Sequence, residues 1–260
     1  MNSNSHSNIH IPKMAAQKIV SLVPSLTELL IDLGLSDKLV GRTRFCIHPA
    51  AEVAQVPIIG GTKNPNIEKI ISLEPDYILA NKEENRQEDI EELQKHCNVH
   101  LTDIDSISDA LTTITEIGKQ LDVEKKAHQI SRDISLVLNQ KPSFESLKTA
   151  YFIWREPWMV AGSETYIHDV MREWNLENVF VEQPRYPEID IAKLKELEPD
   201  LILLSSEPYP FKEKHISEIE KHSPNAAIEL INGEWFSWYG SGMIQSFKAL
   251  TQWRTSLSAS

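Results

Sequence analysis

A short pattern occurs twice in this 260-residue sequence, and it constrains the fold more than any other feature. Residues 67–79 and residues 191–203 align without a gap at a constant spacing of 124 residues, and both contain Leu-Glu-Pro-Asp followed by an apolar run. Proline ends a helix and fixes the connecting turn, so each copy predicts a helix, a turn and a buried strand. The simpler alternative is that two unrelated helix-to-strand turns share this pattern by chance. A true repeat instead predicts that the chain has two similar halves.

Alternating strand and helix patterns surround both copies. Strands are predicted at 18–23, 56–59, 76–80 and 98–101 in the first half, and at 149–154, 158–161, 201–205 and 227–231 in the second. Ser25 and Glu28 form a capping box, which predicts the start of the first helix there. Residues 107–140 have a helical pattern throughout, with a break predicted at Asp122. This order predicts an α/β fold with two parallel sheets on either side of one long helix.

The predicted domain organisation has four parts. These are a disordered polar tail (1–17), an N-terminal α/β lobe (18–105), a linking helical segment (106–141) and a C-terminal α/β lobe (142–260).

Charge and hydropathy exclude several classes of protein. The 26 basic and 38 acidic side chains give a formal net charge of -12, which argues against nucleic acid and anionic membranes as partners. No apolar run approaches the roughly 18 residues that span a bilayer, so we expect no membrane insertion. The first thirteen residues show neither a signal peptide nor a cysteine for lipidation, so the sequence as written predicts a cytoplasmic protein, or a periplasmic one if an export signal has been removed.

The two cysteines, Cys46 and Cys97, are outside any CxxC pattern, and we expect free thiols. Cys46 and His48 are close enough in sequence to share a metal, but no second cluster of ligands accompanies them. A histidine in a turn beside a buried thiol is the simpler interpretation, so we predict no metal site. His48 or His168 as an axial ligand to a bound metal centre stays open.

Several motifs, taken in order, resemble one family. They are IVSLVPSLTELL (19–30), NIEKI (66–70), LEPDYIL (73–79), AGSET (161–165) and ENVF (177–180). They are similar to the substrate-binding proteins of ABC importers for vitamin B12, haem and iron-siderophores. The resemblance covers residues 18–260 and implies two Rossmann-like lobes joined by a backbone helix, the class III periplasmic binding protein-like architecture. It also implies a monomer without an intrinsic cofactor that binds a corrinoid, haem or ferric chelate between its lobes.

The loops that follow the predicted strands carry the candidate binding residues, since ligands of doubly wound sheets lie beyond the carboxyl ends of the strands. The predicted ligand-binding residues are Arg42, Arg44, Lys63, Glu83, Trp154, Arg155, Arg185, Tyr186, Glu207, Trp235, Phe236, Trp238 and Tyr239. Aromatic faces with a few fixed charges suit a large planar or multiply charged chelate. We expect Arg42, Arg155, Arg185 and Trp238 to face one another across the cleft. Trp154 could equally be a core residue, and any single arginine could be in a surface ion pair.

The sequence also departs from the resembled family. The two first-lobe tryptophans that contact cobalamin in its B12-binding members fall on Thr62 and Asn81, which argues against cobalamin itself. Members use one exposed glutamate on each lobe to meet arginines of the permease, and these positions fall on Glu68 and Ala192. We therefore expect this chain to dock weakly, or not at all, on an ABC permease, because one of the two docking side chains is missing.

Two other classes of function stay open. One is a cytosolic storage or interaction module that is no longer coupled to a transporter. The other is an enzyme acting on an anionic ligand, but the sequence lacks the dinucleotide, phosphate-loop, nucleophile-elbow and HExxH motifs. Glu83 and Glu207 occupy matching places in the repeat and could be a catalytic carboxylate pair, yet they would bind a cationic group equally well. We therefore predict binding without catalysis and assign no catalytic residue.

Overall fold

The computed structural model describes residues 16–257, in which two parallel sheets are flanked by helices. In the first lobe the strands are β1 (Ile19–Ser21), β2 (Leu39–Arg42), β3 (Tyr77–Asn81) and β4 (Val99–Thr102), in the order β2-β1-β3-β4. Its helices are α1 (Pro24–Asp32), α2 (Ala50–Val53), α3 (Ile67–Ser72) and α4 (Gln87–Gln94), with a short 3-10 helix at Ser36–Lys38. All of the paired strands in this sheet are parallel.

Two helices follow, α5 (Ile107–Gln120) and α6 (Glu124–Gln140), which we call the linking hairpin. The predicted break at Asp122 is confirmed, since this residue has a left-handed φ of 61°. Gly118 lies so close to α6 that an added Cβ would meet the Cβ of Ala127 at 2.3 Å. The two helices therefore pack against each other, so the predicted linking helical segment is a hairpin of two helices.

The second lobe contains β5 (Leu147–Trp154), β6 (Met159–Val160), α7 (Tyr166–Glu173), β7 (Leu176–Asn178), α8 (Leu194–Leu197), β8 (Leu201–Ser205), α9 (Glu213–Ile219), β9 (Ala227–Ile231), α10 (Glu234–Ser237) and α11 (Met243–Leu257). A 3-10 helix at Ile191–Lys193 precedes α8. Strand β5 pairs in parallel with β8 on one side, and with parallel β7 and antiparallel β6 on the other. The predicted fold class, two α/β lobes with parallel sheets, is confirmed.

The sequence repeat has a structural counterpart at the same spacing. Strands β3 and β8 correspond residue for residue, and each is preceded by a residue in the left-handed region, Glu74 (φ 49°) and Glu198 (φ 44°). Asp76 and Asp200 also have the same role. The carboxylate of Asp76 accepts the backbone N–H of Lys18 (3.0 Å), and that of Asp200 accepts the backbone N–H of Lys148 (2.9 Å). These bonds hold the start of the neighbouring strand in register in each lobe.

Side chains that alternate along the strands divide the core into three clusters. The largest runs from the first lobe through the linking hairpin into the second lobe and includes Leu29, Ile114 and Trp174. A smaller cluster covers the opposite face of each sheet, around Ile78 in the first lobe and Ile202 in the second. The two lobes and the hairpin therefore share one continuous hydrophobic core.

Some local predictions are wrong. Helix α1 begins at Pro24, whose fixed φ suits the first helical position, and the cap residue Val23 makes no side-chain cap bond, so the predicted Ser25–Glu28 capping box is absent. Residues 56–59 form isolated bridges such as Arg42–Ile58 instead of a strand, whereas β2 was not predicted. The polar tail lies outside the described residues apart from its last two positions. Within residues 16–257, no helix has the length and apolar character needed to cross a membrane.

Candidate functional site

The carboxyl ends of both sets of parallel strands meet where the two lobes face each other. A cavity of about 490 Å³ opens there, lined by Lys82, Glu83, Asp103 and Asp105 from the first lobe and by Arg185 and Tyr186 from the second. Its volume is within the range of small-molecule sites, roughly 300–1,000 Å³. This location agrees with the general rule that ligands of such sheets bind beyond the carboxyl ends of the strands.

A group of charged and hydroxyl side chains joins the lobes beside this cavity, and we call it the Arg185 bridge: Glu83, Asp105, Arg185 and Tyr186. The guanidinium of Arg185 pairs with both Glu83 and Asp105, the latter at 2.9 Å, and the Tyr186 hydroxyl donates to Glu83 Oε2 at 3.0 Å. Arg185 has a φ of 62°, a region that favours glycine, and its backbone is held by bonds to Gly162 and Ser163. The surrounding loop thus fixes the direction in which this arginine reaches.

Four carboxylates, two from each lobe, lie near one another, and we call them the acidic seam: Glu28, Glu84, Glu207 and Glu234. Glu207 Oε1 accepts hydrogen bonds from the Ser237 hydroxyl (2.6 Å) and Trp238 Nε1 (3.0 Å). Glu234 Oε1 lies 3.5 Å from Nε2 of His48, which belongs to the first lobe. The ring of His48 also contacts the ring of Trp238 edge-on. Glu28 is close to Gly242, where an added Cβ would lie 2.8 Å from its Oε2.

Burial raises the pKa of three carboxyl groups in the acidic seam. For Glu84, burial is the largest cause of the raised pKa. The charge of Lys63 lowers this pKa, and the charge of Glu207 raises it by a smaller amount. Burial also raises the pKa of Glu207, although the hydrogen bonds from Ser237 and Trp238 oppose this rise. The pKa of Glu28 is raised by burial as well. Their negative charge is therefore poorly compensated by the protein itself.

This leads to a prediction for stability. A carboxyl group whose pKa is raised in the folded state stabilises the fold most in acid, and that contribution is lost as the pH rises through the raised pKa. We expect Glu84→Gln to raise the melting temperature at pH 8 by roughly 2–4 °C, the change that about 1 kcal/mol produces in a chain of this size. Near pH 4 the variant and the parent should melt together.

Thermal unfolding followed by circular dichroism between pH 4 and pH 8 measures this effect. Glu52→Gln is the matched control, because Glu52 is exposed in α2 and makes no ion pair among the described residues. A Glu84→Gln variant that is less stable than the parent at pH 8 would show that the carboxylate is compensated in the fold.

The structure brings some predicted site residues together and separates others. Glu83, Arg185 and Tyr186 meet in the Arg185 bridge, and Lys63 joins them through its bond to the backbone carbonyl of Glu83. Glu207 and Trp238 contact each other in the acidic seam. Trp235 is half-buried against the main core, and Arg44 is exposed after β2.

Other predicted residues have structural roles. Arg42 is buried, and its guanidinium donates to the backbone carbonyls of Val53, Thr43 and Cys46, so it stabilises a first-lobe loop and does not face the other lobe. Phe236 is fully buried against Tyr151 and Trp253, which makes it a core residue. These two placements correct the sequence-based assignment.

Arg155 and Trp154 lie at the end of β5. Arg155 pairs with Glu218 of α9 at 3.0 Å and covers the ring of Trp158, while Trp154 is 39% exposed and contacts Tyr209 edge-on. Arg42 bonds within its own lobe and Arg155 pairs with Glu218, so the expectation that these two face Arg185 and Trp238 across the cleft is wrong. The ligand-binding roles of the remaining predicted residues stay predictions.

Sequence reasoning also missed several residues. Glu28 and Glu234 belong to the acidic seam and were given no binding role, and Glu84 was interpreted as the acidic start of a helix. His48, considered only as a metal ligand, instead faces Glu234. The position of these residues after predicted strands was the available signal. Cys46 and His48 do not converge on a common partner, since the thiol lies 3.0 Å from Thr27 Oγ1 whereas the histidine faces Glu234. Both cysteines are free thiols.

Comparisons with known proteins agree on the family. A family model described as periplasmic binding protein matches residues 19–227. An uncharacterized ABC transporter substrate-binding lipoprotein of Bacillus subtilis is 32% identical over 205 residues, which are 74% of this chain and 64% of that relative. This match thus spans somewhat less than two thirds of the relative's length.

Two solved structures have a similar fold. A possible iron-binding (periplasmic solute-binding) protein from Staphylococcus epidermidis has a TM-score of 0.78 and 22% identity, and the match covers 92% of this chain and 98% of that one. The periplasmic vitamin B12-binding protein of Vibrio cholerae also has a TM-score of 0.78, with 19% identity and coverage of 93% and 97%. At these identities the likeness concerns the fold.

Proposed function

Since this chain belongs to the periplasmic binding protein family, we propose that it binds a metal-containing small molecule between its lobes without changing it covalently. The observation that carries the proposal is the cavity of about 490 Å³ at the carboxyl ends of the strands, with charged and aromatic side chains from both lobes around it. The ligand classes are a corrinoid, haem or an iron-siderophore-type chelate, as the motifs imply. The names of the similar proteins describe substrate binding, which supports binding over catalysis.

The ligand can be identified directly. We expect the purified chain to show a visible absorption band or to release a metal chelate that mass spectrometry identifies. The apo protein should then be titrated with cyanocobalamin, hemin and a ferric trihydroxamate while tryptophan fluorescence is followed, because Trp238 contacts His48 of the other lobe. Absence of a co-purified ligand together with no binding of any of the three would contradict the proposal.

The setting of the protein is part of the proposal. The Bacillus subtilis relative is named as a lipoprotein and the structural neighbours as periplasmic, which favours a place outside the inner membrane over the cytoplasmic expectation. Fractionation of cells that express the full-length gene, with antibody detection, tests this. Recovery of the protein with the cytoplasmic fraction alone would favour the storage module.

The repeat makes a prediction about docking on a permease. Glu68 is exposed in the first turn of α3, and the matching position in the second lobe is the exposed Ala192. We propose Glu68 as the docking residue of the first lobe. The methyl group of Ala192 cannot form the second ion pair with a permease. Because one exposed ion pair contributes only about 0–1 kcal/mol, Ala192→Glu should strengthen the complex by up to roughly fivefold.

The complex should be measured by surface binding to the importer encoded beside this gene, reconstituted in lipid, together with its ATPase stimulation. Ala192→Gln is the control for size without charge, and Glu68→Ala should weaken the complex further. If Ala192→Glu has no more effect than Ala192→Gln, the second position has no docking role.

A further inference from the structure

The arginines near the inter-lobe region already have partners within the protein. Arg42 donates to three backbone carbonyls, Arg155 pairs with Glu218, and Arg185 pairs with Glu83 and Asp105. None of these guanidinium groups is left to neutralise an anionic ligand unless an existing pair breaks. These three arginines therefore do not create a positive binding surface.

The acidic seam has the opposite character. Its four carboxylates, Glu28, Glu84, Glu207 and Glu234, come from both lobes. The basic side chains near them are Lys63, beside Glu84, and His48, beside Glu28 and Glu234. Lys63 also donates to the Glu83 carbonyl. Negative charge is therefore in excess at the place where the lobes meet.

Two polar groups in the seam have no partner. The Glu84 carboxylate accepts no hydrogen bond and makes no ion pair among residues 16–257. The Tyr239 hydroxyl lies near Glu84 and Ser25 but has no partner in hydrogen-bond geometry, although Tyr239 is only 6% exposed. Glu84 is half-buried, whereas the Tyr239 hydroxyl is buried, and buried polar groups are normally paired. The unpaired Tyr239 hydroxyl beside Glu84 therefore indicates that a partner from outside the chain completes the site.

We propose that the ligand of this site is a chelate with a net positive charge, whose ammonium or guanidinium group binds between Glu84 and Glu207. The proposal rests on the proposed function and adds the charge class of its ligand. The Arg185 bridge supports it, because a guanidinium already pairs with the carboxylates of the facing lobe at the cavity. The rings of Tyr186 and Trp238 add surfaces that attract cations.

A bare metal ion is a weaker candidate than an organic cation. Among the described residues, no three histidine, cysteine or acidic side chains are placed to coordinate one metal. The raised pKa values of Glu28, Glu84 and Glu207 agree with a site that gains stability when a cation enters.

The test compares two probes that differ by one charge. One is a linear ferric trihydroxamate with a free terminal ammonium group, and the other is the same chelate with that amine acetylated. Isothermal titration of the full chain should show the ammonium form binding at least about tenfold more tightly, the ratio that one charge-assisted contact produces. Glu84→Gln should reduce this preference to within about threefold, whereas Glu52→Gln should leave it unchanged.

The outcomes separate the two proposals. Equal affinity for both probes overturns the charge inference and keeps the proposed function, since a chelate is still bound. Binding of hemin or cyanocobalamin with no binding of either trihydroxamate also overturns the charge inference and keeps the proposed function. If no chelate binds and none co-purifies, the proposed function fails, and the charge inference fails with it.

Discussion

We expect Trp174→Ala to lower the free energy of unfolding by about 3–5 kcal/mol, the usual loss when a large aromatic residue is removed from a core. Trp174 follows α7 and is fully buried. Its ring packs on Phe247 of α11 at 4.8 Å between centroids, and its Nε1 donates to Thr251 at 3.2 Å. The substitution therefore removes both apolar contact area and a hydrogen bond.

The same variant tests whether the lobes unfold together. Trp174 belongs to the core cluster that runs through the linking hairpin into the first lobe. Urea unfolding followed by both fluorescence and circular dichroism should therefore show one transition, shifted to lower urea. Trp154→Ala is the control, since Trp154 is 39% exposed and should cost less than about 1 kcal/mol. Two separate transitions in the parent protein would show that the continuous core does not couple the lobes.

The second large effect concerns the Arg185 bridge. We expect Arg185→Ala to shift the equilibrium between bridged and separated lobes by roughly thirtyfold toward separation, which corresponds to about 2 kcal/mol. The variant loses the pairs with Glu83 and Asp105, and these two carboxylates then face each other's charge without a cation between them. The side chains of Glu83 and Asp105 are partly exposed, so the effect is smaller than that of breaking a fully buried ion pair.

Distances between spin labels on exposed helix positions of the two lobes, for example Glu88 in α4 and Glu213 in α9, measure this opening. Arg172→Ala is the control, because Arg172 pairs with Asp169 within one helix. Tyr186→Phe should have a smaller effect, as it removes one hydrogen bond to Glu83. Unchanged distance distributions in Arg185→Ala would mean that the shared core alone holds the lobes together.

Much of the fold could be predicted from the sequence because its signals are local. The helix-turn-strand repeat and the break at Asp122 follow from proline, apolar periodicity and residues that tolerate a left-handed φ. Strand β2, Leu39–Arg42, was missed because Gly41 and Arg42 follow only two apolar residues, so no apolar run marks it. The hairpin geometry of residues 107–140 depends on contact between α5 and α6, which a helical pattern does not reveal.

The site was only partly predictable. The loops at the carboxyl ends of the strands could be located, but which side chain of a loop faces the other lobe depends on three-dimensional partners. Arg42 turns back to the carbonyls of its own lobe, while Arg185 crosses to Asp105, and nothing in the sequence distinguishes the two. Glu84 was missed because an acidic residue before a helix has a simpler explanation.

The matching bonds of Asp76 and Asp200 to the backbone of a neighbouring strand bear on how the chain arose. Two segments that keep the same left-handed turn, the same carboxylate bond and the same spacing from helix to strand are most simply copies of one ancestral half-protein. The two segments differ at their surfaces, where Glu68 faces solvent in one and Ala192 in the other, while the bonds that fix strand register are the same in both.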